Sequence, residues 1–333
     1  MTKAVSARKP FTVLRDDAGG DGLRGAVLAI GNFDGVHRGH GAVIAAACAR
    51  ARGLGRPAAA LTFEPHPAAV LRPQQRLFRL SDETAKLRLL AATTIEGAIV
   101  LTFNTALSSL SPEEFVRGIL VERYAISGAA IGFDFHFGKN RMGSPAFLEE
   151  EGARLGFAVD VVPPLQDEGR PVSSGTIRAA LAAGRVIEAA ELLGHCWFVS
   201  GTVIAGDKRG RELGYPTANI RLDPNCGLKH GIYAVRVSLA GKLHDGVASF
   251  GRRPMFDNGA PLLEVFLFDF AGDLYGQYLD VAFIAWIRQE MQFDSVEQLV
   301  RRMDDDSARA REALARVPGA FPPLAPLESV TGL

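Results

Sequence analysis

Two histidines three positions apart, His37 and His40, stand in the ten-residue run GNFDGVHRGH, Gly31 to His40. An apolar run, AVLAI over 26–30, precedes them and AVIAAACARA follows Gly41, so the pair falls at a turn from a buried strand into a helix. Such a turn gathers backbone N–H groups and the positive end of a helix dipole in one small space, where an anion such as phosphate is favoured. Gly31, Gly35 and Gly39 let the backbone approach a ligand closely, and the helix start presents both imidazoles. Breaking a bond to phosphorus depends on alignment and charge neutralisation more than on a protein nucleophile, and these residue types supply both. On the residues alone, the histidines could also cap the turn or ligate zinc.

A second group lies in the C-terminal half. GTVIAGDKRGRELGYPTANI, 201–220, places Gly206, Gly210 and Gly214 among Lys208, Arg209 and Arg211, which suits a loop closing over polyphosphate. PTAN then offers the hydroxyl of Thr217 and the carboxamide of Asn219, hard oxygen donors of the kind Mg²⁺ takes beside substrate phosphates. Downstream, LLEVFLFDF sets Glu264 on one strand face with Phe266, Phe268 and Phe270. A carboxylate there is an edge residue or a buried ion-pair partner unless something else recruits it.

The elements that must position these groups are legible as texture. AVLAI, AAALTF (58–63), AIVLTF (98–103), AAIGF (129–133) and FAVDVV (157–162) read as strands with helix-length segments between them, an order that implies a parallel sheet. Open parallel sheets bind ligands beyond the carboxyl ends of their strands, and GNFDGVHRGH, EPHP (64–67) and DFHFG (134–138) all follow strands on that side. SSGTIRAALAAGRVIEAAELLG, 173–194, reads as two short helices capped by Ser173 or Ser174 and broken at Gly184. Beyond it, short strand-like runs separated by Gly, Asn and Asp predict an antiparallel barrel. A last helix is expected at DSVEQLVRRM, capped by Asp294 with Glu297 in capping-box position, and the Pro-rich end is expected to be loose.

Composition bounds the partners. At 333 residues the chain has room for about two domains. Lys plus Arg equals Asp plus Glu, 37 each, which argues against general binding to nucleic acid or to a membrane surface. The start, MTKAVSARKPFTV, lacks the apolar core of a signal peptide and no run approaches a membrane span, so a cytoplasmic location is expected. Cys48, Cys196 and Cys226 are widely spaced and read as structural thiols. Nothing in the sequence signals an oligomeric state.

Taken together, GNFDGVHRGH, TFEPHP, GFDFHFGKNRMG and VSSGTIRAAL, in this order, resemble the adenylyltransferase half of the prokaryotic bifunctional FAD synthetases, or riboflavin kinase/FMN adenylyltransferases. The PTAN segment, GIYAV, ASFGRRP, LEVFLFDF and DLYG resemble the riboflavin kinase half of the same family. The resemblance implies an α/β protein: a Rossmann-like parallel-sheet nucleotidyltransferase domain, 1–186, an antiparallel β-barrel kinase domain with a terminal helix, 187–312, and a tail, 313–333. It implies riboflavin, FMN and ATP as partners, Mg²⁺ as cofactor, and FMN and FAD as products. His37 and His40 would stabilise the nucleotide phosphates, with Gly31, Phe33, Asp34 and Gly39 around them and Ser174 and Arg178 on the triphosphate. Asp134 and Arg253 would lie on the flavin side. In the kinase half, Gly206, Lys208, Gly210 and Gly214 would form the nucleotide loop, Thr217 and Asn219 would hold the metal, and Glu264 would be the general base. Three departures stand out: Gly175 where the family has Thr after the paired serines, Ser249 where it has Asn before Ile-Gly, and Met255 where it has Thr after Arg-Pro.

Overall fold

A computed structural model describes residues 10–16, 21–167, 169–206, 213–252 and 261–331. The chain divides into two compact units: one comprises Met1–Leu77, Asp82–Val172 and Leu324–Leu333, the other Phe78–Ser81 and Ser173–Pro323.

The first unit is built on strands β1 (Phe11–Arg15), β2 (Val27–Ile30), β3 (Ala58–Glu64), β4 (Gly97–Thr102), β5 (Gly128–Gly132) and β6 (Ala158–Val162). With the C-terminal strand Val330–Thr331 they make one seven-stranded sheet, in the order C-terminal strand, β1, β4, β3, β2, β5, β6. Every pairing in it is parallel. Central β2 is buried along its whole length, as expected of a strand covered on both faces. Two apolar clusters flank the sheet: Leu28, Leu61, Ile99 and Ile131 on one face, Val27, Ala29, Ala60 and Ala98 on the other.

Helices connect these strands: α1 (Arg38–Leu54), α2 (Pro67–Leu71), α3 (Glu83–Ala91), α4 (Thr105–Ser109), α5 (Pro112–Glu114), which runs on as π-helical turns over Phe115–Arg123, and α6 (Pro145–Leu155). A two-stranded hairpin, β7 (Gln166–Asp167) with β8 (Arg170–Pro171), follows β6.

The second unit opens with α7 (Ser174–Ala182) and α8 (Val186–Leu193), and Gly184 breaks them at φ +78° as the sequence indicated. Strands β9 (Phe198–Thr202), β10 (Ala218–Arg221), β11 (Gly231–Leu239), β12 (Lys242–Arg252), β13 (Pro261–Leu267) and β14 (Tyr278–Arg288) form a six-stranded sheet in the order β10, β13, β12, β11, β14, β9. Its ladders are antiparallel, with register shifts along β11–β14 that curl the sheet. One bridge, Ile204 to Asn219, joins its two ends and closes it into a barrel. Helix α9 (Val296–Ala315) follows, and buried Arg236 on β11 donates to the carbonyls of Leu314, Val317 and Ala320 at its end.

Three expectations need correction, beside one segment that the sequence left unread. The segment before residue 26, which carried no readable motif, supplies β1. The tail is held rather than loose: Phe11 pairs with Val330, and Arg88 and Ala325 exchange two hydrogen bonds. A two-residue strand and a Pro-rich strap have no periodicity to detect. Helix α9 is capped by Ser295, whose hydroxyl accepts from Gln298 N–H, and not by Asp294 one residue earlier. Finally, β13 ends at Leu267, so Glu264 shares its face with Leu262 and Phe266 but not with Phe268 or Phe270, which lie past the strand.

Candidate active sites

Loop 31–37 takes the chain from β2 into α1 through three left-handed backbone positions, Phe33 (φ +50°), Gly35 (+80°) and Val36 (+43°). A β-branched residue at positive φ is costly and survives only where its surroundings hold it. Here Phe33 is fully buried, Asp34 is nearly so, and Val36 N–H donates to the Phe33 carbonyl. His37 is the N-cap of α1, its Nδ1 accepting from His40 N–H at 3.3 Å. In the neutral ring the proton therefore sits on Nε2. The two imidazoles stack with centroids 3.6 Å apart, and Phe33 closes over His40 at 5.1 Å. Two positive rings at 3.6 Å would repel by about 5 kcal/mol at an effective dielectric of about 20. Burial first, then His37, then Lys86, hold the His40 pKa well below its ordinary value, so His40 is neutral near pH 7.

Gly39 is required by close approach: a Cβ there would lie 3.1 Å from the His37 ring and 3.3 Å from the Val172 carbonyl. A Cβ at Gly31 would make only an ordinary contact with the Phe33 ring, at 3.5 Å. Arg38, between the histidines, binds Asp167 of the β7–β8 hairpin at 3.0 Å. Asp134 is exposed just past the end of β5, where its carbonyl meets His136 Nδ1 at 2.9 Å. The first unit thus brings Gly31, Phe33, Asp34, His37, Gly39 and His40 into one loop and helix start. Among the described residues no group of three or more His, Cys, Asp or Glu side chains could hold a metal ion, which leaves a zinc reading of the histidines without a ligand set.

Ser174 and Arg178 lie in the second unit, on α7. Ser173 is the N-cap, its hydroxyl accepting from Thr176 N–H and meeting the Thr176 hydroxyl at 2.9 Å. Arg178 Nε donates to the Phe78 carbonyl at 2.5 Å. A side chain at Gly175 would meet nothing nearer than Ser173 Oγ at 3.6 Å, so crowding does not explain the glycine.

Register builds the second site. Glu264 on β13 stands opposite Asn219 of β10 on one side and Ser249 of β12 on the other. Cross-strand partners of this kind have Cβ atoms about 5 Å apart. Asn219 is buried, and its Nδ2 donates to the Thr217 carbonyl at 3.4 Å, which turns Oδ1 away from Thr217. That Oδ1 is sealed and meets no donor among the described residues. A buried acceptor left unpaired costs about 1–3 kcal/mol, and a cation would satisfy it. Gly206 packs directly on this carboxamide, where a Cβ would fall 2.3 Å from Nδ2. Tyr215, at the far end of the loop, bonds Asp304 of α9 and packs on Phe266 at 4.7 Å. Gly214, at φ +82°, is exposed. The expectations for Lys208, Gly210 and Arg253 lie outside the described residues.

Sequence reasoning passed over Lys86. It is 2% exposed, on α3, beside the histidine loop. No sequence signal marks it: only the burial of every residue from Ala85 to Ala91 in ETAKLRLLAA shows that the interleaved Lys86 and Arg88 need partners inside the protein.

A parallel-sheet unit with two histidines at a helix start, and an antiparallel barrel that sets a sealed carboxamide opposite a carboxylate, are arrangements suited to phosphoryl chemistry at two centres. Models of known families match both parts: FAD synthetase over residues 21–176 and riboflavin kinase over 193–314. A Pseudomonas fluorescens bifunctional riboflavin kinase/FMN adenylyltransferase is 41% identical over 88% of this chain and 94% of its own length. The enzymes of that description from Escherichia coli K12 and Listeria monocytogenes are 36% and 37% identical, over 86% and 87% of this chain and 92% and 93% of theirs. A solved Streptococcus pneumoniae structure described as a macrolide-efflux protein aligns with TM-score 0.80 at 30% identity, covering 92% of this chain and 99% of that one. Among the described residues, no helix is long and apolar enough to cross a membrane. The chain belongs to the bifunctional riboflavin kinase/FMN adenylyltransferase family.

Proposed function

We propose that the two activities of this family, phosphorylation of riboflavin to FMN and adenylylation of FMN to FAD, are carried by different residues because their nucleophiles differ. Riboflavin presents a primary alcohol, whose proton must leave as its oxygen attacks the γ-phosphate of ATP. Glu264 takes that proton. The observation that carries this reading is the register that sets Glu264 directly across from Asn219, whose sealed Oδ1 meets no donor among the described residues. Thr217 and Asn219 are the residues that would hold Mg²⁺, and the ion when bound would neutralise the phosphates of ATP. Neutral oxygen donors suit a metal that arrives with its charge already matched by polyphosphate.

FMN presents a phosphate oxygen that is already anionic, so attack on the α-phosphate of ATP needs alignment and a stabilised pyrophosphate leaving group rather than a base. His37 and His40 supply imidazole N–H donors at the start of α1, whose dipole adds to them. Gly31 and Gly39 keep the approach open, and Phe33 and Asp34 anchor the loop from within. The roles of Ser174 and Arg178 toward the triphosphate, and of Asp134 toward flavin, rest on the motif resemblance.

The test is a chromatographic time course on Glu264→Gln. FMN formation from riboflavin should fall by about 10²–10⁴-fold, the usual contribution of a general base, while FAD formation from supplied FMN persists. His37→Asn and His40→Asn should give the reverse pattern. Joint loss of both activities in properly folded variants would refute this division.

A further inference from the structure

We propose that Lys86, acting through Thr62, is a positioning residue for adenylyl transfer that fixes the backbone of the loop leading to His37 and His40. This rests on reading that loop as the adenylyltransferase site.

Lys86 is almost sealed from solvent, and its ammonium pairs with Glu64 Oε1 at 2.6 Å and donates to Thr62 Oγ1 at 3.2 Å and to the Phe63 carbonyl at 3.2 Å. Thr62, fully buried on β3, in turn donates its hydroxyl to the Asn32 carbonyl at 3.1 Å. Asn32 immediately precedes the strained run from Phe33 to Val36.

A threonine hydroxyl carries a single proton and can rotate. Because the Lys86 ammonium can only donate, it occupies an acceptor position of Thr62 Oγ1 and directs the lone Thr62 proton to Asn32. The cation therefore sets the polarity of a relay that ends on the loop backbone. Simple packing would not call for it, since a buried ion pair is seldom more stable than apolar side chains of the same volume, and the neighbours Leu87, Leu89 and Leu90 are of that kind. A loop with Phe33 and Val36 at positive φ needs such outside constraint, because its conformation is not one the chain prefers. Lys86 also adds, after burial and His37, to the forces that keep His40 uncharged.

The experiment compares Thr62→Val, Thr62→Ser and the paired change Lys86→Met with Glu64→Gln in the full-length chain. It measures kcat and KM for FAD formation from FMN and MgATP, with riboflavin phosphorylation by the same samples as internal control. Thr62→Val keeps the volume and removes the relay, so kcat for FAD formation should fall about tenfold or more, with KM for ATP nearly unchanged. Thr62→Ser, which keeps the hydroxyl and loses a methyl, should stay near wild type. The Lys86/Glu64 pair change should resemble Thr62→Val, and it decides the matter if Thr62→Val does not fold. Kinase activity should be unaffected throughout. Wild-type kcat in Thr62→Val, or an equal loss in Thr62→Ser, would overturn the proposal. If His37→Asn and His40→Asn also leave FAD formation intact, the reading of the loop fails as well; if they abolish it while Thr62→Val does nothing, only the relay fails.

Discussion

At the scale of single residues, the chemistry depends on a few atoms kept in unfavourable surroundings. His40 is the clearest example. Its folded pKa lies below the unfolded value of 6.5, so the unfolded state binds the extra proton more readily. The contribution of neutral His40 to stability is thus intact above pH 6.5 and is lost as pH falls from there toward its folded pKa. In an NMR titration of the folded protein, the His40 ring resonance should stay flat down through pH 6.5; a midpoint at or above that value would contradict the buried, stacked geometry. Gly206 is a second case, because the space of its missing Cβ is filled by the Asn219 carboxamide. Gly206→Ala must push that group aside, and riboflavin phosphorylation should drop at least about tenfold while FAD formation from FMN is preserved. The placement of His37 and His40 at a strand-to-helix turn was legible from residue type and spacing, whereas Glu264 was singled out as a base only by the family resemblance. Lys86 was not legible, because a lysine in a helix reads as a solvent residue until the burial of its neighbours is known.

At the scale of elements, the sheet and barrel were legible where apolar runs were long and bounded by turn residues, as in AAALTF and GIYAVRVSL. They were illegible where pairing alone makes the strand. Ala218–Arg221 was not singled out as a strand, yet its register with β13 is what brings Asn219 to Glu264. The strand Val330–Thr331 is only two residues long, too short for an alternating pattern, and its existence depends on β1. Val330 is nonetheless 3% exposed in the core, and burying a valine contributes about 1.5–3 kcal/mol. Removing residues 324–333 should therefore destabilise the first unit by at least that much. Thermal inactivation of FAD formation should shift down by several degrees, with FMN formation from riboflavin shifting less; equal shifts would argue against a tail specific to the first unit.

At the scale of the molecule, the path of the chain departs from the linear order of its motifs. The motifs place a border near residue 187, but residues 78–81 belong with the second unit and 324–333 with the first. Nothing local marks these excursions, since Phe78 and Leu80 look like any loop hydrophobics. Inside the second unit Leu80 accepts from the Trp197 indole N–H at 2.8 Å, and Phe78 packs edge-on to the same ring. A fragment beginning at residue 187 would leave that buried N–H unpaired, at about 1–3 kcal/mol. Trp197 and Trp286 are the only tryptophans in the sequence and both belong to the second unit, so urea unfolding followed by tryptophan fluorescence reads that unit alone. The fragment should unfold at lower urea than the full chain; an unchanged midpoint would mean the 78–81 segment contributes nothing. The same threading bears on synthesis by the ribosome. Strand β1 is translated ahead of the other strands of its sheet, yet its outer neighbour is translated only after the whole barrel and α9. The half that begins first is thus the half that finishes last, with an open strand edge exposed to other nascent chains until residue 331 has emerged.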